Sequence, residues 1–177
     1  MLKYKLLLCL IFCSIPIDAN FYKPSNIIYL KPKVEQVGYK PYSKVVNEKE
    51  IKCLADNIYF EARSEKDIGK KAVALVTLNR LNLDNDNEYP NSVCGIVYQR
   101  NKYKCQFAWA CNKQRPIREY VLYKKCQDIA KNVIINYNVM HDVTKGATNF
   151  HRSDIRPNWA SNKNRTVIIG KHLFFKL

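Results

Sequence analysis

Residues Ile68 to Leu81 carry apolar side chains on nearly every side of a helical pattern. Ala72, Val73, Ala74, Leu75, Val76 and Leu78 leave almost no polar stripe. A helix of that kind must be surrounded, so the fold is expected to wrap around it. A second helix immediately precedes it. Ile51, Leu54, Ala55, Ile58 and Ala62 recur at helical spacing, and Asn47 followed by Glu50 resembles a capping box at its start. Ser64 and Asp67 punctuate the corner between the two helices.

The rest of the pattern is shorter and more polar. Asn82 to Asn91 reads as a loop, closed by Tyr89-Pro90-Asn91-Ser92, and Ser92 can cap a short helix from Val93 to about Gln99. Arg100 to Arg115 is irregular. Pro116 is expected to open a third long helix, with Ile117, Tyr120, Val121, Ile129, Ala130, Val133, Ile134 and Tyr137 on its apolar face. The pattern breaks after Asn138. Thr166 to Ile169 and Leu173 to Phe175 read as short strands around Gly170. The fold class is α+β and mainly helical, with a few short strands, over residues 47–177.

Two segments precede this domain. Lys3 and Lys5, the apolar run Leu6 to Ile17 and the small residue Ala19 make residues 1–19 a signal peptide. The run is shorter than the roughly 20 residues a bilayer span needs, so no stable membrane span is expected once the leader is removed. Retention as an anchor is the alternative. Residues 20–46 form a basic linker broken by Pro24, Pro32 and Pro41, in which Ile27 to Leu30 form a strand or dock on the domain. An exported protein is expected, in the periplasm, the cell envelope or outside the cell, acting as a monomer.

Cysteine usage agrees with an oxidising compartment. Cys53, Cys94, Cys105, Cys111 and Cys126 remain after the leader, enough for two disulfides and one free thiol. The pairing is open. No Cys-x-x-Cys occurs and the three histidines show no ligand spacing, so neither a metal nor a cofactor is expected. The chain carries 30 basic against 15 acidic residues, a net charge of +15. Such a field attracts polyanions. The excess is spread out, and no nucleic-acid recognition motif accompanies it, so nucleic acid is not an expected partner. Anionic wall polymers or an anionic membrane surface fit the charge.

One stretch carries chemistry. Glu61 lies at the end of the first helix, about 20° from Leu54 at 100° per residue, on the rim of the apolar stripe. Partial burial and the negative end of the helix dipole both disfavour its charged form, as a general acid requires. Glu65, one turn on, offers a second carboxylate on the same side, while Asp56 is expected at the surface. Arg63 is expected to order the helix end or to contact Glu65. The aromatic faces of Tyr98, Trp109 and Trp159 can stack on sugar rings or serve as core. Gln106 is a candidate hydrogen-bonding residue, and His151 either lines the cleft or is structural.

These stretches occur together and in order. Ile58-Tyr59-Phe60-Glu61-Ala62-Arg63-Ser64-Glu65 is followed by Thr77-Leu78-Asn79-Arg80 and by Tyr89 to Gln99. Cys105 to Trp109, Asp142 to Ala147, Phe150-His151, Pro157-Asn158-Trp159 and Ile169 to Phe175 complete the series. The whole resembles the SleB-type cell wall hydrolase family over about residues 50–177. The resemblance implies a lysozyme-like catalytic domain that acts on the glycan strands of peptidoglycan. It assigns the catalytic acid/base role to Glu61, and Glu65, Tyr98, Gln106, Trp109 and His151 become candidates for substrate binding. It further implies lytic transglycosylase chemistry, in which one carboxylate suffices. A hydrolytic muramidase or glucosaminidase is the first alternative, and a non-catalytic wall- or membrane-binding basic protein the second. The chain departs from the family's Glu-Ala-Arg-Gly-Glu at Ser64, which must either accept the glycine's backbone or end the helix differently.

Overall fold

The computed structural model describes residues 47–83, 88–112 and 116–177. The expected leader, with Cys9 and Cys13, and the linker with its Ile27–Leu30 segment lie outside the described residues. Helix α1 spans Glu48–Ala62 and α2 spans Asp67–Leu81, the short α3 spans Val93–Val97, and α4 spans Tyr120–Asn136. Strands β1 (Asn149–Arg152), β2 (Arg165–Ile169) and β3 (His172–Phe175) form an antiparallel sheet in the order β1-β3-β2. No helix among the described residues is long and apolar enough to cross a membrane.

The wrapped helix is α2, where every residue from Ala72 to Arg80 is buried. Leu54 and Ile58 of α1, Leu75 and Leu78 of α2, Val93 and Val97 of α3, and Ala130, Val133 and Ile134 of α4 share one core. Full burial of a leucine or isoleucine side chain contributes about 1.5–3 kcal/mol. On its other side α2 offers Ala72 and Val76 to Ala147 and to Phe174 of β3, so the sheet closes over a second small cluster.

Local chemistry sets the ends of the elements. The Asn47 side chain accepts from the Lys49 amide at 2.9 Å, so Asn47 does cap α1. The capping box itself does not close, because Glu50 reaches across to accept from the Cys94 amide at 3.2 Å. Ser92 caps α3 through the Gly95 amide at 3.0 Å. The third long helix starts four residues later than Pro116 suggests. The Tyr59 hydroxyl takes the Arg118 and Glu119 amides, each at 3.3 Å, and holds that segment out of the helix. The apolar face of α4 is also rotated from the expected one. Tyr120 and Val121 are exposed, whereas Cys126, Ala130, Val133 and Ile134 are buried. Nine residues separate Val121 from Ala130, which at 100° per residue is about 180° of helix. Strand β1 had no counterpart in the sequence reading.

Five cysteines give Cys53–Cys94 and Cys105–Cys111, with Cys126 free and buried. The first ties α1 to α3 across 41 residues and the second closes a six-residue separation. Replacing Cys53 and Cys94 together by alanine is expected to lower unfolding free energy by roughly 2–4 kcal/mol. The shift in urea midpoint under non-reducing conditions measures this. An unchanged midpoint would mean that the bridge contributes nothing.

Candidate active site at the helix corner

Glu61 occupies the last turn of α1 and is half-buried. Its neighbour Phe60 stacks on Trp109 with ring centroids 4.7 Å apart. The helix stops without a glycine: the Arg63 amide bonds the Tyr59 carbonyl at 3.2 Å and the Glu65 amide bonds the Ala62 carbonyl at 2.9 Å. Among the described residues Lys145 is the one non-glycine with positive φ, so Ser64 stands where no left-handed backbone is demanded. Arg63 orders this end, as expected, but through Glu119 and not Glu65. Its Nε lies 3.3 Å from Glu119 Oε2 and its guanidinium lies over the Tyr59 ring.

Glu65 is closed in. Its side chain is 8% exposed, its Oε2 accepts from the Lys171 amide at 3.4 Å, and its Oε1 lies 4.0 Å from His172 Nδ1. The Lys70 ammonium caps its backbone carbonyl. The turn beneath it is Gly170-Lys171, the two-residue link between β2 and β3. Gly170 has φ +57°, and a Cβ there would fall 1.9 Å from Glu65 Oε2, so the position needs glycine on both counts. His172 is buried, and neither imidazole nitrogen has a hydrogen-bond partner among the described residues.

Asp56 is not a surface residue: it is buried and fully engaged. It accepts from Tyr123 at 2.6 Å, from Tyr98 at 2.9 Å and from Lys52 at 2.8 Å. Burial and this carboxylate together push both tyrosine hydroxyls well above the ordinary range. Tyr98 keeps an exposed ring edge-to-face on Trp109 at 5.6 Å, while Trp109 itself belongs to the core.

Gln106 is exposed and rests on a buried cation. With its amide oxygen turned toward Arg80, it accepts from Nη1 at 2.8 Å and Nη2 at 3.1 Å. Arg80 Nε donates to the Thr148 carbonyl at 2.6 Å, and the guanidinium lies over the rings of Tyr89 and Phe107. Gln106 lines a cleft of about 340 Å³ with Gln99, Arg100, Lys104 and Trp159. A second cleft, of about 620 Å³, is lined by His151 and Phe175. Trp159 joins them: it is 40% exposed and packs edge-to-face on His151 at 5.6 Å and on Phe175 at 5.4 Å.

The structure therefore brings Gln106 to one cleft and His151 to the next, with Trp159 between them. Tyr98 and Trp109 touch each other, Trp109 also stacks on Phe60, and the Glu65 side chain is closed in. Glu61 is not among the residues that line either cleft. Arg80, quoted only as part of the Thr77 to Arg80 stretch, was not among the expected site residues, although an arginine so soon after the apolar run Ala72 to Val76 was the signal available. Burial pushes the Cys126 thiol up to about 11, which leaves it inert as a nucleophile at neutral pH. Among the described residues no three His, Cys, Asp or Glu side chains converge in a metal-binding group.

The profile of the Cell Wall Hydrolase family matches residues 64–175. The chain belongs to this family. The match begins at Ser64 and so includes Glu65 but not Glu61. The spore cortex-lytic enzyme of Halalkalibacterium halodurans is 26% identical over 158 residues, covering 89% of this chain and 39% of that protein. The spore cortex-lytic enzyme of Bacillus subtilis is 26% identical over 126 residues, covering 71% and 37%. The chain thus spans less than half the length of the curated relatives it matches. The crystal structure of the catalytic domain of the Bacillus cereus SleB protein aligns with a TM-score of 0.57 at 24% identity, over 78% of this chain and 98% of that one. The catalytic domain of the germination-specific lytic transglycosylase SleB from Bacillus anthracis aligns with a TM-score of 0.55 at 25% identity, over 75% and 98%. The fold of this cell wall hydrolase family member is lysozyme-like, mainly helical with one small sheet.

The buried His172 makes stability depend on pH. Burial holds its imidazole below the ordinary value of 6.5, against the opposing pull of Glu65. The unfolded chain then binds a proton at higher pH than the folded one. The neutral ring's contribution is complete above about pH 6.5 and falls as pH drops through that value toward the lower folded one. The urea midpoint of the wild type is expected to decline over this range, and His172→Phe to flatten the decline. Identical slopes would exclude His172 as the source.

Proposed function

We propose that this protein cleaves the glycan strands of peptidoglycan, with Glu61 as the single acid/base. The carrying observation is what happens to the other carboxylates at this helix corner, in a chain that belongs to the cell wall hydrolase family. Glu65 is packed against the Gly170-Lys171 turn, Asp56 is consumed by Tyr98, Tyr123 and Lys52, and Glu119 is paired with Arg63. Hydrolysis with two carboxylates needs a second group at a set distance across the sugar, free to activate water or attack carbon. Glu65 and Asp56 are not available for that work, and Glu119 is held by Arg63 and the Tyr59 hydroxyl.

One carboxyl group serves both steps of a lytic transglycosylase. Glu61 first gives its proton to the glycosidic oxygen, and the bond to the anomeric carbon breaks. The resulting carboxylate then takes the proton from the same sugar's 6-hydroxyl, whose oxygen closes a 1,6-anhydro ring. No water enters the product. Half-burial of Glu61 at the end of α1 supports this reading, because partial loss of water disfavours the charged form of a carboxyl group. In this reading Gln106 and the exposed face of Trp159 supply a hydrogen-bonding group and a stacking platform in the cleft they share. Tyr98 contributes an exposed ring and His151 a second polar group, whereas Trp109 backs the site from the core. The net charge of +15 draws the protein to anionic wall polymers. In this reading residues 1–19 direct export, 20–46 are a linker, and 47–177 work as a monomer in the envelope or outside the cell.

Glu61→Gln keeps shape and polarity but has no proton to give. It is expected to cut turnover of purified sacculi by about 10²–10⁴-fold, with an unchanged circular dichroism spectrum and sedimentation of the protein with sacculi retained. Lysis at the wild-type rate by this variant would remove Glu61 from the chemistry.

A further inference from the structure

The second cleft has chemistry that a neutral sugar does not use. Its floor is the outer face of the sheet, with Ile168, Leu173 and Phe175, and its rim carries Arg156 and Arg165. Neither guanidinium pairs with a carboxylate among the described residues. From Phe150 to Leu177 the chain holds a single acidic side chain, Asp154, and Arg152 takes it at 2.8 Å. Among the described residues that line the cleft there is no carboxylate side chain to answer Arg156 and Arg165.

His151 adds a second requirement. Its Nδ1 lies 2.8 Å from the Arg152 carbonyl, which can only accept, so Nδ1 carries the proton in the neutral ring. Nε2 is left as an acceptor, buried and without a partner among the described residues. The ring is fixed by stacking on Phe175 at 5.0 Å. The cleft thus asks for an N–H donor near an apolar surface and for negative charge at its edge. A peptide with a free carboxylate offers all three. A polyphosphate offers charge but neither an N–H donor nor an apolar part. Trp159, which lines the Gln106 cleft, packs on His151 and Phe175 of this one, so a single side chain links the two.

We propose that this cleft binds the carboxylate-bearing peptide branch of peptidoglycan, with Arg156 and Arg165 on its carboxylates and His151 Nε2 on a backbone amide. The identity of the branch rests on the peptidoglycan reading above; the preference for an acidic peptide rests on the cleft alone. The protein would then favour strands that still carry their peptides.

The test measures binding, not turnover, so a failure of the proposed glycan cleavage leaves it intact. An N-acetylated Ala-Glu-Lys-Ala tetrapeptide, the same peptide with both carboxyl groups amidated, and a glycerol-phosphate oligomer are titrated into the full chain by calorimetry. Saturable binding of the free acid is expected. It should weaken by about 10-fold (~1.4 kcal/mol) on amidation in the wild type, and by a similar factor in R156Q/R165Q. Amidation needs no folded variant, so the proposal stays testable if the double substitution misfolds. Absence of peptide binding, equal binding of acid and amide, or tighter binding of the phosphate oligomer would each overturn it. Lysis of sacculi by the same preparation separately reports on the catalytic reading.

Discussion

A carboxylate trapped between a helix corner and a hairpin turn fixes how the helices meet the sheet. Glu65 stands at the corner between α1 and α2, its side chain is only 8% exposed, and the Gly170-Lys171 backbone lies against its carboxylate. The contact demands a residue without a side chain at 170 and a short tight turn there, and it closes the space around His172. The carboxylate best placed by sequence to partner Glu61 is spent on architecture, which is why the proposed chemistry asks one carboxyl group, Glu61, to serve both steps.

The buried helix α2 carries the same logic further. A helix sunk in a core has few chances to fix its neighbours by polar contacts, and two adjacent residues near its end do so toward the segment before β1 and toward Gln106. Asn79 donates to the Ala147 carbonyl at 2.8 Å and to Thr144 at 3.2 Å, and accepts from Tyr137 at 2.8 Å. Arg80 grips Thr148 on one side and Gln106 on the other. Desolvation makes such a cation costly, and it lowers the Arg80 pKa from its ordinary value. Ring faces, a carbonyl and an amide oxygen offset that cost, and the result is a Gln106 held rigidly at the edge of a cleft.

The two long N-terminal helices were legible because their periodicity is uncompromised and their caps are local. Asp67–Leu81 was anticipated to within one residue. The start of α4 was not, since the competing partner for its first amides is the Tyr59 hydroxyl, some 60 residues away in sequence. Strand β1 is four residues of mixed burial whose pairing with β3 is wholly non-local. The number of disulfides followed from counting, whereas their pairing needed the fold. At the site, Gln106 and His151, both singled out from sequence, line clefts, Glu61 lines neither, and Asp56 was misjudged. A single carboxylate that collects one tyrosine from just past α3 and another from α4 looks, along its own helix, like any solvated residue.

The central claim is that one carboxyl group does the work of two and that no water is consumed. Digestion of purified sacculi in ¹⁸O-enriched water, followed by mass spectrometry of the released glycans, tests it directly. The account predicts 1,6-anhydro ends, one water lighter than reducing ends, with no ¹⁸O at the cleaved position. Reducing ends that carry one ¹⁸O for each bond broken would contradict it.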